Sequence, residues 1–439
     1  MLPAIMFLSL APWLVLGVPP MWTQPEQVHL SYVGVPGSMV VTWTTLNKTE
    51  SRVEYGFFGG RLFDMSAKGD ATLFVDSGEE KRQMFIHRVT LTELKPAAAY
   101  VYHCGSDDGW SDVFSFTALN DSLSFSPRFA LYGDLGNENP QSLARLQKET
   151  QLGMYDAILH IGNLNDNARI GDEFMRQIES IAAYVPYMTC PGNHEAAYNF
   201  SNYRNRFSMP GQTESLWYSW NLGSAHIVSF STEVYFYLEY GMDLLFKQYE
   251  WLKADLEKAN KPENRARRPW IITMGHRPMY CSDDDQDDCT KFDSWVRLGR
   301  KDIKPPAPGL EELFYRYGVD VELWAHEHTY ERLWPVYGDK VRNGSAEQPY
   351  VNPKAPVHII SGSAGCRERT DRFNPNPKEW SAFRSTDYGY SRMQVVNSTH
   401  LYMEQVSDDQ KETFQKLYIP KVPPTASTTL RFVYTSLER

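Results

Sequence analysis

The stretch Ala325-His326-Glu327-His328-Thr329-Tyr330-Glu331-Arg332 follows the apolar run 319–324, and its two histidines are spaced i, i+2. On an extended segment alternate side chains share a face, so both imidazoles can point into one pocket. A His-x-His pair alone is a common surface feature. Its weight here comes from other apolar runs that end the same way. Phe129-Ala130-Leu131-Tyr132 runs into Gly133-Asp134-Leu135-Gly136, and Tyr187-Met188-Thr189-Cys190 runs into Pro191-Gly192-Asn193-His194-Glu195. Trp270-Ile271-Ile272-Thr273-Met274 runs into Gly275-His276-Arg277-Pro278-Met279-Tyr280. In open α/β sheets ligands gather beyond the carboxyl ends of the strands. Glycine beside Asp134, Asn193 and His276 lets the backbone turn sharply there. One aspartate, one asparagine and three histidines form an N/O donor set that suits Fe, Zn or Mn better than Ca or a thiolate site.

The surrounding chain supports a layered α/β reading. From about residue 126 apolar strands alternate with helical patterns at 140–151, 172–183 and 244–259, the last with Leu245, Tyr249, Leu252 and Leu256 on one face. From about 25 to 120 the pattern is instead short β-type runs and turns, as at 39–45, 52–55 and 87–91. There Leu94-Lys95-Pro96-Ala97-Ala98-Ala99-Tyr100 has the form of a tyrosine corner before a strand, which predicts a fibronectin III-like β-sandwich. No catalytic constellation falls in that part, and His87 and His103 read as ordinary strand residues.

At 439 residues the chain has room for two or three domains, and its 42% hydrophobic and 22% charged composition is ordinary for a globular protein. A net charge of −10 without a long Lys/Arg block argues against a nucleic-acid partner. Residues 1–18 read as a secretory signal, apolar, uncharged from 2 to 18, with small Gly17 before Pro19-Pro20. No later stretch reads as a membrane anchor. Sequons at Asn47, Asn120, Asn199, Asn343 and Asn397 agree with export and glycosylation. Of five cysteines, Cys281 and Cys289 flank a polar acidic loop and are the candidates for a local disulfide. The expected location is therefore extracellular. Nothing in the sequence speaks to oligomeric state.

The ordered motifs Gly-Asp-x-Gly, Gly-Asn-His-Glu, Gly-His-Arg-Pro and Ala-His-x-His-x-Tyr-Glu-Arg resemble those of the calcineurin-like metallophosphoesterases, and among them the animal-type purple acid phosphatases. The resemblance runs from about residue 25 to about 410. It implies an N-terminal sandwich over 25–120 and a phosphoesterase domain over 126–410, with a dinuclear centre between two β-sheets flanked by helices. It puts Asp134 and His328 on a ferric ion, and Asn193, His276 and His326 on a divalent ion, zinc by analogy. It gives His194 a role in binding phosphate and passing a proton to the leaving group, and leaves Glu195, Tyr330, Glu331 and Arg332 in supporting roles. The implied reaction is hydrolysis of small phosphate monoesters by metal-bound hydroxide at acid pH.

Two departures qualify that expectation. The family's Gly-Asp-x-x-Tyr motif supplies a bridging aspartate and an iron-binding tyrosinate. Here the matching strand Ala157-Ile158-Leu159-His160-Ile161-Gly162 runs into Asn163-Leu164-Asn165-Asp166, without either ligand. Neutral Asn163 cannot act as a bridging carboxylate, Asp166 lies three residues further on, and Tyr155 belongs at the strand's other end. A catalytically impaired or non-enzymatic glycoprotein is the alternative this raises. The second departure is the closing segment 411–439, rich in Pro, Ser and Thr, which reads as a divergent tail.

Overall fold

The Tyr100 hydroxyl accepts the backbone N–H of Lys95 at 2.9 Å, which is the corner contact that the Leu-x-Pro-x-x-x-Tyr pattern predicts. The computed structural model describes residues 22–164, 167–284, 289 and 294–422. The signal at 1–18, Asp166 and the tail from 423 onward lie outside the described residues.

Around that corner two sheets face each other. One holds Glu26–Ser31, Met39–Thr45, Gln83–Leu91 and Asp70–Val75, and the other Met65–Lys68, Arg52–Phe57, Ala99–Ser106 and its neighbours. Val28, Leu30, Val41, Trp43, Val53, Val89, Tyr100 and Tyr102 fill the space between them. His87 is a strand residue, stacked on Trp43 with ring centres 4.9 Å apart. His103 lies in the strand Ala99–Ser106 and hydrogen-bonds to Glu54 at 3.1 Å.

The second part of the chain builds two larger sheets packed face to face. A six-stranded sheet has parallel strands Arg128–Tyr132, Ala157–Ile161 and Tyr187–Cys190, continued antiparallel by Gly389–Val395, His400–Ser407 and Glu412–Pro420. A seven-stranded sheet has Ala225–Ser229, Trp270–Met274, Val321–Trp324 and Val357–Ser361 in parallel at its centre. The parallel strands are buried along their length apart from exposed Arg128 and half-buried His226, as continuous apolar runs covered on both faces should be.

Three differences from the sequence expectation are informative. The helix expected at 172–183 is Ala168–Ala182, one turn longer at its start, with Gly171 on the buried face beside Phe174, Met175 and Ile178. In the helix Asp243–Ala259, buried Gln248 takes the inward place expected of Tyr249, because its amide hydrogen-bonds both the N–H and the carbonyl of Ser231 at 2.8 and 2.7 Å. The chain past Gln410 does not leave the domain at once, since Glu412–Pro420 pairs with His400–Ser407 as the sheet's last strand.

The sandwich docks on the helix Ala168–Ala182 and the segment after it. Tyr102 donates its hydroxyl to the Ala183 carbonyl at 2.7 Å, and the Val28 N–H donates to Glu179 at 2.7 Å. Buried Arg206 joins Gln27 at 3.0 Å to Asp172 at 2.9 Å.

Candidate metal and phosphate site

All the candidate residues sit where parallel strands end. Asp134 follows Arg128–Tyr132, Asn163 follows Ala157–Ile161, Asn193 follows Tyr187–Cys190, His276 follows Trp270–Met274, and His326 follows Val321–Trp324. The strand ends approach so closely that a Cβ on Gly162, whose φ is +77°, would come within 2.3 Å of His276 Nδ1. That is the glycine requirement expected beside a ligand. The structure brings together Asp134, Asn193, His276, His326 and His328, through direct contacts described below. His194 is exposed on the Asn193 loop.

The best-formed group is Asn193, His276 and His326. His276 is fully buried and faces the Ile161 carbonyl with Nδ1 at 3.0 Å, so Nδ1 carries the proton and Nε2 offers a lone pair. That Nε2 lies 2.9 Å from Asn193 Oδ1 and 3.2 Å from His326 Nδ1. Atoms bound to one ion at about 2.1 Å stand roughly 3 to 3.4 Å apart, so this spacing fits a shared cation. Two acceptors facing each other at 2.9 Å, His276 Nε2 and Asn193 Oδ1, are also what a cation between them would relieve. Burial pushes His276 down to about 3, although Asp134 pulls it up, so the ring is neutral. His326 has its Nε2 3.1 Å from Arg277 Nη1. A guanidinium only donates, so in this state His326 holds its proton on Nδ1; for that nitrogen to hold an ion the proton would have to sit on Nε2 and Arg277 would have to turn away.

Asp134 and His328 form the other half. Asp134 Oδ2 accepts the His326 N–H at 2.8 Å, and Oδ1 lies 3.7 Å from His328 Nε2. Burial alone would raise this carboxyl, but the three imidazoles around it, His276, His328 with its hydrogen bond, and His326, favour the carboxylate and hold it down to about 2. His328 turns Nδ1 to the Arg369 carbonyl at 3.0 Å and to Cys366 Sγ at 3.2 Å, and donates its backbone N–H to Asp371 at 2.7 Å. Burial opposes its charge, yet the adjoining Asp134 carboxylate raises it far above an ordinary imidazole.

Asn163 occupies the place of the missing bridge. Its Nδ2 donates to Asp134 Oδ1 at 2.6 Å, while its Oδ1 accepts the His194 N–H at 3.3 Å. The two contacts together fix which end of the amide faces Asp134. Glu195, fully buried, holds the arrangement by accepting the N–H groups of Asn163 at 2.9 Å, Leu164 at 2.8 Å and Gly192 at 2.8 Å. Tyr155 is remote, as expected: its hydroxyl donates to Glu149 on the far side of the strand. Among the described residues no tyrosine oxygen hydrogen-bonds Asp134 or His328.

The residues therefore fit the two implied metal positions unequally. The Asn193, His276 and His326 donors fit a divalent ion. Among the described residues the other implied position has Asp134 and His328, with Cys366 beside the latter, and the group between the two positions is the Asn163 amide N–H.

Sequence reasoning did not foresee Arg277, which pairs with buried Glu233 at 3.1 Å and lies over Phe236 at 4.2 Å. It also missed Cys366 beside His328. Arg277 stands in the quoted Gly-His-Arg-Pro motif, which gave it no role, and Cys366 carries no pattern that would mark it. Glu331 takes the supporting role expected, accepting the N–H and hydroxyl of Ser282 at 2.9 and 2.7 Å. Cys281 and Cys289 are joined by a disulfide just ahead of Ser282, and Cys104, Cys190 and Cys366 are free and buried.

Three family models match the chain: calcineurin-like phosphoesterase over residues 127–330, purple acid phosphatase N-terminal domain over 25–118, and iron/zinc purple acid phosphatase-like protein C over 355–415. The chain is 74% identical over 397 residues to acid phosphatase type 7 of Danio rerio, covering 89% of this chain and 90% of that one. It is 59% identical to acid phosphatase type 7 of Homo sapiens, covering 88% of each. A purple acid phosphatase structure from yellow lupin seeds superposes with a TM-score of 0.77 at 25% identity, covering 91% of this chain and 75% of that one.

Proposed function

The chain belongs to the purple acid phosphatases of the calcineurin-like phosphoesterase family, and from that premise we propose that it is a secreted, metal-dependent acid phosphatase acting on small phosphate monoesters. The observation that carries the reading is the convergence of Asn193 Oδ1, His276 Nε2 and His326 Nδ1 within 2.9 and 3.2 Å. The family implies a dinuclear centre, typically iron and zinc, and the divalent ion is the one these three donors suit. When bound, such an ion supplies positive charge that neutralises phosphate and acidifies water.

The chain's own residues do the rest. His276 is held in register by the Ile161 carbonyl, so its lone pair needs no reorientation. His194, exposed and next to Asn193 in the chain, offers an imidazole that can meet a phosphate oxygen or give a proton to a leaving alkoxide. Arg277, released from His326, brings a guanidinium to the same cleft, although Glu233 offsets part of its charge.

Secretion is supported by the disulfide and by the sequons, of which Asn47 and Asn397 are exposed and Asn120, Asn199 and Asn343 half-buried. Among the described residues no helix is long and apolar enough to cross a membrane.

A second reading, a catalytically impaired member, is favoured by one observation: Asn163 presents an amide N–H to Asp134 where the family has a bridging carboxylate. Turnover of an aryl phosphate near pH 5, before and after chelation and zinc return, decides between them. Activity lost with the metal and restored by zinc is expected. No turnover in any metal-loaded state establishes the impaired reading instead.

A further inference from the structure

We propose that this centre is built for a single divalent cation, held by Asn193, His276 and His326, with the Asn163–Asp134 hydrogen bond occupying the junction where a second ion would be joined. The inference rests on the metal-dependent reading of this cleft, but concerns how many ions it takes.

Three observations support it. The first is the asymmetry of the donors. Asn193 Oδ1 and His326 Nδ1 both lie within 3.2 Å of His276 Nε2, as three atoms around one ion do. Around the other position, Asp134 Oδ1 and His328 Nε2 are 3.7 Å apart, and among the described residues Cys366 lies against Nδ1 of His328, at 3.2 Å, on the nitrogen turned away from Asp134.

The second observation is that Asp134 is already satisfied. One oxygen accepts the Asn163 amide at 2.6 Å and the other the His326 N–H at 2.8 Å. A bridging ligand must offer lone pairs to both cations. Asn163 offers hydrogens toward Asp134, and a second cation there would meet their positive ends. Rotating the amide does not help, because its oxygen would then face the Asp134 carboxylate and lose the His194 N–H at 3.3 Å.

The third is that the surroundings lock this state. Glu195 pins the N–H groups of Asn163 and Leu164, and Asn163 sits at φ +55°. That conformation is tolerated by Asn and Asp but by few other residues. The loop is therefore held in a shape that a carboxylate at this position could also adopt.

Charge follows from the count. The three donors of the proposed position are all neutral, so an ion there would keep its full double charge for an incoming anion. Asp134 stays outside the ion's direct ligands and positions the His326 backbone instead.

The test is metal stoichiometry and affinity, measured on the full chain by elemental analysis and by titration of the metal-free protein with zinc. About one zinc per chain is expected for the unmodified protein, with at least a tenfold weaker affinity in His276→Ala. Asn163→Asp places two buried carboxylates side by side, so it should lower the thermal midpoint without metal, raise the count toward about two, and gain a larger zinc-dependent rise in that midpoint than the unmodified chain. Two ions per unmodified chain, or none in a folded one, overturn the proposal. So does a count in Asn163→Asp equal to that of the unmodified chain, if circular dichroism shows both folded. Aryl phosphate turnover in the same samples is read separately. One ion without turnover keeps this inference and removes the proposed activity; two ions with turnover do the reverse.

Discussion

Glu195 touches none of the three donors, yet its carboxylate ties its own loop to the one that carries Asn163. Oε2 accepts the N–H groups of Asn163 and Gly192, and Oε1 accepts that of Leu164. Burial pushes this carboxyl up to about 7, while those same N–H groups pull it down. Because both oxygens are used, Glu195→Gln must turn an NH2 group toward at least one backbone N–H. A buried donor left without an acceptor costs about 1–3 kcal/mol. We expect that loss in urea denaturation, together with weaker zinc binding, because the Gly192 turn carries Asn193. An unchanged zinc affinity would show that the Asn193 loop keeps its shape without the clamp. The sequence made Glu195 visible only as part of a motif; its work is with backbone atoms, which leave no trace in residue spacing.

At the scale of elements, what was legible follows from chemistry. A run of apolar residues ending in glycine and a polar ligand is a strand entering a site, and each such run produced one corner of this one. The tyrosine corner was legible because a proline and a tyrosine at fixed spacing make one specific contact. The last strand was not. Glu412–Pro420 alternates weakly, is exposed on most of one face, and ends at a proline, which is acceptable at the end of an edge strand. Only Leu417 and Ile419 are buried in it. That thin anchor gives a prediction: Leu417→Ala, at a site 3% exposed, should cost about 2–3 kcal/mol, the lower part of the usual range for a buried leucine because an edge strand can relax. Thermal unfolding compared with Tyr418→Ala, at 60% exposure on the same strand, checks it. Equal losses would mean that Glu412–Pro420 contributes no core. The deleted bridge was likewise legible as a departure from pattern, but not its repair. That Asn163 would hydrogen-bond Asp134 depends on two strand ends meeting in space.

The whole molecule carries buried neutral histidines far from the site, and these set its behaviour in acid. His29 is enclosed where the sandwich meets the phosphoesterase domain, with its nitrogens 2.8 and 3.0 Å from the carbonyls of Gln27 and Arg206. His87 lies inside the sandwich between the hydroxyls of Thr45 and Ser51, at 2.8 Å each. Burial lowers both from 6.5 to about 4. In the unfolded chain these rings take up protons as the pH falls below 6.5, and in the folded chain they do not until about 4, so the unfolded state binds more protons across that window. Their contribution is complete above 6.5 and is lost as the pH falls to about 4, by a few kcal/mol at most for each ring. Glu195 works in the opposite direction: raised toward 7, it favours the folded state as the pH falls below that value. The depressed Asp134, at about 2, adds its own loss only below the ordinary carboxylate range. The thermal midpoint should therefore fall between pH 6.5 and 4, and His87→Gln, which can still bond both hydroxyls, should flatten that fall. Midpoints measured at half-unit intervals for both chains decide it, with parallel curves counting against His87. The fall crosses the acid range in which an acid phosphatase would be assayed, so activity near pH 5 must be compared with folded fraction at the same pH before any loss is assigned to the metal site.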